Sequence, residues 1–365
     1  MRIYLDHNAT TAIKPAVLES VTAALATTGN ASSVHSHGRA VRASLESART
    51  EIAKLVGAPD TKGVIFTSGA TEANNMVLKK FPPDRILTSS IEHPSVIESA
   101  PLARRLPVTA DGEVDMNVLP SLLDDIALIS VMLVNNETGV IQPIADIASQ
   151  AHAKGILVHV DAVQAAGRIP IDMTALGADY ITLSAHKMGG TPGAGAVIAA
   201  PKAPPVKLLH GGGQERRQRA GTENAPAIVG FGMAAKLASA DLKAYQKLSV
   251  LRDRMEKTLQ QSVPGIHIYG NGARRVANTS CFSLKGVPAD TQLMALDLAG
   301  ISVSSGSACS SGSVKPSHVL EAMHVTPEAA NCALRVSLGW NTSEDDINNF
   351  IELYSTLSKG WEKHA

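Results

Sequence analysis

The feature that most constrains the fold of this chain is an alternation of short apolar runs and helical stretches between residues 63 and 199. Short runs rich in Val, Ile and Leu are typical of buried strands. Strands that alternate with helices predict an α/β fold, a mainly parallel sheet with helices on its faces. The predicted strands are 63–67, 85–89, 127–134, 156–160, 180–183 and 194–199.

Polar side chains follow the successive predicted strands, at the point where each strand ends. In an open α/β sheet, ligands bind outside the carboxyl ends of the strands. We therefore expect these side chains to line one crevice. They are Thr71, His93, Asn136, Asp161, Gln164 and Lys187.

Lys187 lies just past a predicted buried strand, beside His186 and in front of a glycine-rich loop. Burial and neighbouring cations lower the pKa of an amine, and a neutral amine can form a Schiff base with a carbonyl. The alternative is a solvated lysine in a surface turn, where most lysines lie. The polar residues expected in the same crevice favour the Schiff base.

Two further groups indicate which carbonyl compound the crevice takes. Residues 68–71 lie between a strand and a helix start, where free backbone N–H groups favour a phosphate. They match neither a P-loop nor a dinucleotide motif, which leaves a monophosphate. Asp161 can hold the protonated nitrogen of a pyridine ring, and His93 can stack on that ring or move protons. A phosphate site, an acid and an amine together predict pyridoxal 5'-phosphate.

Cys309 is a second predicted centre of chemistry, because it lies in a run of small polar residues, 302–313. Reactive cysteines are accessible rather than packed. Cys281 and Cys332 are instead expected to be buried and inert. Three cysteines are too few for a disulfide framework or a zinc knuckle, so we expect no resident metal; Cys309 remains a candidate transient ligand of an iron–sulfur cluster.

The C-terminal part of the chain is expected to form a smaller α+β domain, entered through a long helix at about 228–261. Arg335 stands in a predicted strand there, 334–338, where a lone charge needs a partner. Its guanidinium suits bidentate binding of a carboxylate, such as that of an amino acid. A structural ion pair is the alternative.

The composition argues against several classes of partner. Lys plus Arg and Asp plus Glu number 33 each among 365 residues, which gives no strong field for nucleic acid or a membrane surface. No apolar run reaches the roughly 18 residues of a membrane span. The first residues lack the apolar region of a signal peptide, and the few cysteines favour a reducing compartment, so we expect a cytoplasmic protein.

Ten motifs, distributed over almost the whole chain, resemble those of the class-V aminotransferase superfamily, and specifically of its cysteine desulfurases of the NifS/IscS type. Each motif is weak alone, whereas ten in the same order are specific. The segment around Cys309 is similar to the group I branch, whose nucleophile lies on a long mobile loop. The motifs are at residues 4–11, 67–75, 92–94, 135–139, 159–164, 184–187, 211–215, 220–224, 304–309 and 335–338.

The resemblance implies fold type I of the enzymes that depend on pyridoxal phosphate (PLP), which is the fold of aspartate aminotransferase. This fold has a large, mainly parallel sheet domain and a smaller α+β domain. Residues 1–15 would be an N-terminal segment packing with the small domain. Residues 16–245 would form the large cofactor-binding domain, and 246–365 the small domain that carries the Cys309 loop. A homodimer is also implied.

The resemblance assigns roles to single residues. Lys187, Cys309 and His93 would be catalytic, with His93 stacked on the cofactor ring. Arg335, helped by Asn136, would hold the substrate carboxylate. The implied phosphate ligands are Ala70, Thr71, Ser184 and His186, with Thr222 reaching in from the other subunit; Asp161 would meet the ring nitrogen, and Gln164 and Asn136 the ring hydroxyl region.

The implied activity converts L-cysteine to L-alanine and leaves a persulfide on Cys309, whose sulfur passes to an acceptor such as an iron–sulfur scaffold protein. A selenocysteine lyase or a sulfinate-acting relative would share nearly every cofactor residue. An aminotransferase would not need the thiol loop, and a silent sulfur carrier would not need Lys187. Two departures are His7, where an asparagine is more usual, and the short C-terminus, which leaves the acceptor open.

Overall fold

The computed structural model describes residues 2–305 and 317–361. The strands in this part of the chain form sheets of seven, four and two strands. They are β1 (Ile3–Tyr4), β2 (Val64–Thr67), β3 (Ile86–Ser89), β4 (Arg104–Leu106), β5 (Leu128–Met132), β6 (Leu157–Asp161), β7 (Tyr180–Ser184), β8 (Gly195–Ala199), β9 (Ile266–Ile268), β10 (Thr279–Leu284), β11 (Ile301–Ser302), β12 (Ser304–Ser305) and β13 (Ala333–Ser337).

The seven-stranded sheet has the order β2-β8-β7-β6-β5-β3-β4, and β8 alone runs antiparallel to its neighbours. Strands β5 and β7 are buried at every residue. Continuous burial is expected of parallel strands that helices cover on both faces. The predicted mainly parallel α/β sheet is therefore confirmed.

The smaller sheets belong to the α+β part of the fold. The four-stranded sheet is antiparallel with the order β12-β13-β10-β9, and the two-stranded sheet pairs β1 in parallel with β11. Leu5, just after β1, is fully buried in an apolar cluster with Phe282 and Leu334 of this sheet. The N-terminal strand thus packs against the C-terminal part; the domain boundaries at residues 15 and 245 stay predictions.

The helices connect and cover these strands, and no described helix is long and apolar enough to cross a membrane. They are α1 (Pro15–Leu25), α2 (Ser36–Leu55), α3 (Ala70–Leu78), α4 (Pro94–Ile97), α5 (Leu119–Leu122), α6 (Ile144–Ala153), α7 (Met173–Leu176), α8 (Ala225–Ala240), α9 (Leu242–Gln246), α10 (Leu248–Ser262), α11 (Ala289–Leu298), α12 (His318–Ala322), α13 (Pro327–Ala330) and α14 (Glu344–Trp361), with short 3-10 helices at Pro83–Arg85, Ala185–Lys187 and Gln214–Arg217.

The single long helix expected at 228–261 is instead three helices, α8, α9 and α10. Helix α8 packs against α1 and α2, whereas α10 packs against α14, β9 and β10. A straight helix cannot bury one face in both layers, so the chain turns at Asp241, whose carboxylate pairs with Lys14 at 2.8 Å. Gly232 allows α8 to pack closely on α2, because a Cβ at this position would lie 2.5 Å from Cα of Ala48.

Candidate active site

A cavity of about 390 Å³ lies where β3, β5, β6 and β7 end. We call it the main cavity. It brings together all six residues that the sequence predicted for one crevice, and three more that the resemblance implied, from widely separated parts of the chain. These lining residues are Ala70, Thr71, His93, Asn136, Asp161, Gln164, Ser184, His186 and Lys187.

Lys187 reaches the cavity from the 3-10 helix that follows β7. Its Nζ donates to the backbone oxygens of Asn8 and Ala9, at 2.7 and 2.8 Å. Burial, with the nearby cations Arg168 and Arg335, lowers the pKa of Lys187 to about 7. The amine is therefore neutral in a large fraction of molecules near neutral pH, which a nucleophilic amine requires.

The start of α3 forms another wall of the cavity. Gly69 occupies the N-cap and provides no side chain to cap the first N–H groups of the helix. The carboxylate of Glu72 turns away, since it accepts from the N–H of Ser68 at 2.7 Å and pairs with Arg219 at 2.9 Å. The first-turn N–H groups thus remain available, and a helix N-terminus of this kind favours an anion such as a phosphate.

Glycine at position 195 lets β8 approach this helix start. A Cβ on Gly195 would lie 2.6 Å from the Cα and carbonyl carbon of Gly69. No real Cβ tolerates that contact without a backbone shift. The position of the anion-binding turn therefore depends on the absence of a side chain in β8.

A hydrogen-bonded network joins Asp161 to His93. Asn74 donates from Nδ2 to Oδ2 of Asp161 at 2.8 Å and to Oγ of Ser95 at 2.9 Å. The Ser95 hydroxyl lies 2.8 Å from Nδ1 of His93. The other oxygen of Asp161 accepts from the N–H of Val163 at 3.0 Å. Both oxygens of this buried carboxylate are therefore held in place.

His93 is held as a neutral imidazole. Burial lowers its pKa, as do the charges of Lys187 and His318, while Asp161 opposes the shift. The N–H of Ser95 donates to Nδ1 at 3.1 Å, so Nδ1 is an acceptor and the ring proton lies on Nε2. The ring can stack on a planar ligand and present a donor from Nε2.

Arg335 does not line the main cavity but lies next to it. Its Nη1 donates to the backbone oxygen of Asn136 at 3.1 Å, and its Nη2 pairs with Asp6 at 2.7 Å. The ion pair that the sequence left as an alternative is therefore present. Nε of Arg335 is buried and has no hydrogen-bond partner among the described residues, so one donor of the guanidinium is unused beside the Asp6 pair.

Of the two remaining predicted site residues, the structure describes Thr222 alone. Thr222 is exposed and borders a smaller hollow together with Ser68 and Gly193, outside the main cavity. A role for Thr222 in a second subunit stays a prediction. Cys309 lies outside the described residues.

Both ends of the described chain around segment 306–316 lie at the site. Before the segment, Ser304 pairs with Arg335 across β12 and β13. After it, Ser317 donates a hydrogen bond to the buried carboxylate of Glu137, and His318 Nε2 contacts the backbone oxygen of Glu92 at 2.8 Å. Glu137 and Glu92 are the chain neighbours of Asn136 and His93.

The structure also identifies residues to which the sequence gave no role. The backbone oxygen of Asn8 accepts from Lys187 and, at 3.0 Å, from Gln164, while its side-chain oxygen accepts from Arg168 at 2.8 Å. Asn8 and Asn74 lie inside two of the recognised motifs, which was the available signal. Arg168 had none, since an arginine in a turn is ordinarily solvated.

Comparisons with known proteins agree with this geometry. The aminotransferase class-V family model matches residues 3–350. A cysteine desulfurase of Cereibacter sphaeroides is 40% identical, over 96% of this chain and 94% of that protein. The cysteine desulfurase IscS of Dictyoglomus turgidum is 39% identical, over 97% and 94%.

A solved structure of a NifS-like protein from Rickettsia africae superposes with a TM-score of 0.92 at 37% identity, covering 98% of this chain and all of that one. This similarity confirms the fold type predicted from the sequence. The chain belongs to the aminotransferase class-V family.

Proposed function

We propose that this protein is a cysteine desulfurase that converts L-cysteine to L-alanine and takes up the sulfur on Cys309. The observation that carries the proposal is the position of Lys187. Its amine, with a pKa lowered to about 7, lies in one cavity with an uncapped helix start, a fixed carboxylate and a neutral imidazole. The similarity to proteins named cysteine desulfurase supports the choice of reaction.

The residues of the main cavity fit pyridoxal phosphate. The uncapped first turn of α3, with Ala70 and Thr71, would hold the phosphate, and Ser184 and His186 border the same cavity. Asp161 would hold the ring nitrogen in its protonated form, because Asn74 and the N–H of Val163 fix its carboxylate. When bound, the cofactor withdraws electrons from an attached amino acid and weakens the bonds at its Cα and Cβ.

The substrate would be held by Arg335 and oriented by Asn136. A carboxylate that displaces Asp6 would bind at Nη2 of Arg335 and gain the donor at Nε, which has no partner among the described residues. Lys187, once free of the cofactor, is placed to take a proton from the substrate and return it. His93 presents its Nε2 proton to the same cavity.

The sulfur step would depend on Cys309. The thiolate of Cys309 attacks the sulfur of the bound cysteine, the Cβ–S bond breaks, and its electron pair remains with the carbon. Protons complete alanine, and Cys309 becomes a persulfide. Atoms and electrons balance without an external oxidant. The contacts of Ser304, Ser317 and His318 support this role, since they attach both sides of segment 306–316 beside the cavity.

Partners follow from the same proposal. A homodimer would bring Thr222 of one subunit toward the phosphate site of the other. The persulfide sulfur would pass to an acceptor such as an iron–sulfur scaffold protein, with Cys309 as a candidate transient ligand of a cluster. We place the reaction in the cytoplasm.

The test is mass spectrometry of the holoenzyme after addition of L-cysteine, with alanine quantified in the same sample. We expect one added sulfur on the Cys309 peptide together with alanine. The Cys309→Ser variant should make neither product, whereas Cys332→Ala, which removes a buried free thiol, should behave like the wild type.

Other outcomes would change the assignment. Alanine formed without modification of Cys309 would indicate a lyase that releases sulfur directly. If the cofactor-loaded protein forms neither product, the family assignment stands, but L-cysteine is not its substrate.

A further inference from the structure

Glu72 places a carboxylate at the proposed phosphate site. It is the third residue of α3, directly after Thr71, and it borders the main cavity. A carboxylate in the first turn of a helix stabilises that helix. It also repels any anion that binds at the same helix start, so Glu72 opposes the phosphate unless its charge is compensated.

Arg219 is the cation that pairs with Glu72. Nε and Nη2 of its guanidinium lie 2.9 and 3.3 Å from the two carboxylate oxygens. The two side chains are only 19% and 11% exposed, so solvent screens their charges weakly. Burial alone would raise the pKa of Glu72, but hydrogen bonds from Arg219 and Ser68 hold it below its ordinary value. The carboxylate is therefore charged at neutral pH, and its charge is matched by the guanidinium.

Arg219 is not itself a residue of the main cavity. It borders the smaller hollow beside Thr222. A ligand in the main cavity would therefore experience Arg219 through its effect on Glu72 rather than through direct contact.

The turn that brings Arg219 to α3 has a strained backbone. Residues 215–217 are not glycines, yet their φ angles are 45°, 55° and 65°. Such left-handed conformations are rare for residues with a side chain, and they are concentrated at functional sites. Glu215 holds the turn in place, since its carboxylate pairs with Arg49 through two hydrogen bonds of 2.9 Å and accepts from the N–H of Phe66 at 2.9 Å. Phe66 belongs to β2, the strand that precedes α3.

We propose that Arg219 is a positioning residue of the phosphate site, which pairs with Glu72 and so cancels a negative charge that would repel the phosphate of the cofactor. The inference rests on the proposed function, in which the start of α3 binds that phosphate. The alternative is a purely structural ion pair. In that case loss of either partner would weaken cofactor binding, whereas under the proposal only loss of Arg219 does so.

The test is the dissociation constant of pyridoxal phosphate from the apoprotein at pH 8. Arg219→Gln should weaken binding by about tenfold, because Glu72 then keeps an unpaired charge beside a doubly charged phosphate. Glu72→Gln should bind at least as tightly as the wild type. The double variant should return to within about threefold of the wild type, since the two effects are coupled through one pair. Arg217→Gln removes the same charge from an exposed residue of the same turn; it is the matched control and should bind like the wild type.

Pyridoxal, which lacks the phosphate, separates this role from a general effect on the fold. Its affinity should be the same in the wild type and in Arg219→Gln. Higher ionic strength should also reduce the difference between these two proteins in their affinity for pyridoxal phosphate, because salt screens the unpaired charge.

Weaker pyridoxal phosphate binding in Glu72→Gln, or a double variant that binds no better than Arg219→Gln, would overturn the proposal in favour of a structural pair. Equal affinities in the wild type and Arg219→Gln would also overturn it, while the proposed function would stand. An apoprotein of wild-type sequence that does not bind pyridoxal phosphate would reject the proposed function and this inference together.

Discussion

Asn74 Nδ2 lies 2.8 Å from Oδ2 of Asp161, and this bond joins the helix that begins at the proposed phosphate site to the strand end that carries the proposed ring-nitrogen partner. Both residues are buried. Asn74 also reaches Ser95, which contacts His93. One amide thus couples the orientation of the acid and of the imidazole.

We expect Asn74→Leu to weaken pyridoxal phosphate binding by about tenfold. The substitution removes the hydrogen bond that keeps the buried Asp161 carboxylate charged and oriented. The measurement is the dissociation constant of the cofactor from the apoprotein. Asn75→Leu is the matched control, since the Asn75 side chain donates to the backbone of Thr71 rather than to Asp161. Equal affinities in the two variants would contradict the role of Asn74.

A residue of this site could be predicted from the sequence where the pattern of the residues around it indicates its position in the fold. Asp161 and Lys187 were predictable because each directly follows an apolar strand, and parallel strands end at the same edge. The motif at 4–11 singled out the segment of Asn8 but not its role, and Arg168 had no signal, because these roles arise from contacts between parts of the chain far apart in sequence, such as Asn8 with Lys187 and Gln164.

The break of the predicted helix 228–261 has a similar origin. Its helical pattern is continuous enough to predict one helix, and the turn at Asp241 follows from two separate packing layers that only the fold defines. The pairing of Arg335 with Asp6 was likewise one of two open alternatives. The sequence could not decide between them, because an arginine in a buried strand requires an anion of either kind.

The lowered pKa of Lys187 predicts a pH-dependent stability of the apoprotein. In the folded protein Lys187 loses its proton near pH 7, from an ordinary value of 10.5. Between these values the unfolded chain binds more protons, so the free energy of unfolding rises with pH. Below pH 7 the amine is charged in both states, so Lys187 adds nothing to the pH dependence there, and the cost of burying its charge is fully present.

Lys187→Met should remove this contribution. We expect the slope of unfolding free energy against pH to be smaller in the variant than in the wild type by about 1 kcal/mol per pH unit between pH 7 and 10. Urea unfolding of both apoproteins across this range measures it, with Lys202→Met, an exposed lysine, as the control. Parallel slopes in wild type and Lys187→Met would show that the amine is not perturbed.

Gly195→Ala should disturb the proposed phosphate site without removing any polar side chain. The added Cβ would meet the backbone of Gly69 at 2.6 Å, so the helix start or the strand must shift. We expect a loss of stability of about 1–3 kcal/mol and weaker binding of both pyridoxal phosphate and inorganic phosphate.

Gly360→Ala provides the contrast, because nothing lies within 4 Å of a Cβ there and the residue is in helix α14. We expect it to be neutral or stabilising by about 0.5–1 kcal/mol. Thermal unfolding and cofactor titration of both variants test the comparison. Normal cofactor affinity in Gly195→Ala would show that the approach of β8 to Gly69 does not position the anion site.

Arg335→Ala should affect substrate binding much more than cofactor binding, because Arg335 contacts the backbone of Asn136 at the cavity edge but does not line the cavity. We expect KM for L-cysteine to rise by about tenfold or more, as for loss of a charged hydrogen-bonding partner. The dissociation constant of pyridoxal phosphate should stay within about twofold of the wild type. Steady-state alanine formation and cofactor titration provide the two measurements.

Because Arg335 is paired with Asp6, an Asp6 variant can separate the loss of the guanidinium from the effect of an unpaired carboxylate. Arg335→Ala also leaves the Asp6 carboxylate without its partner, which repels an incoming substrate carboxylate. Asp6→Asn removes that charge while retaining Arg335, so it should lower KM or leave it unchanged. The double variant should bind cysteine better than Arg335→Ala alone, yet worse than the wild type. An unchanged KM in Arg335→Ala would mean that the guanidinium serves the ion pair and not the substrate.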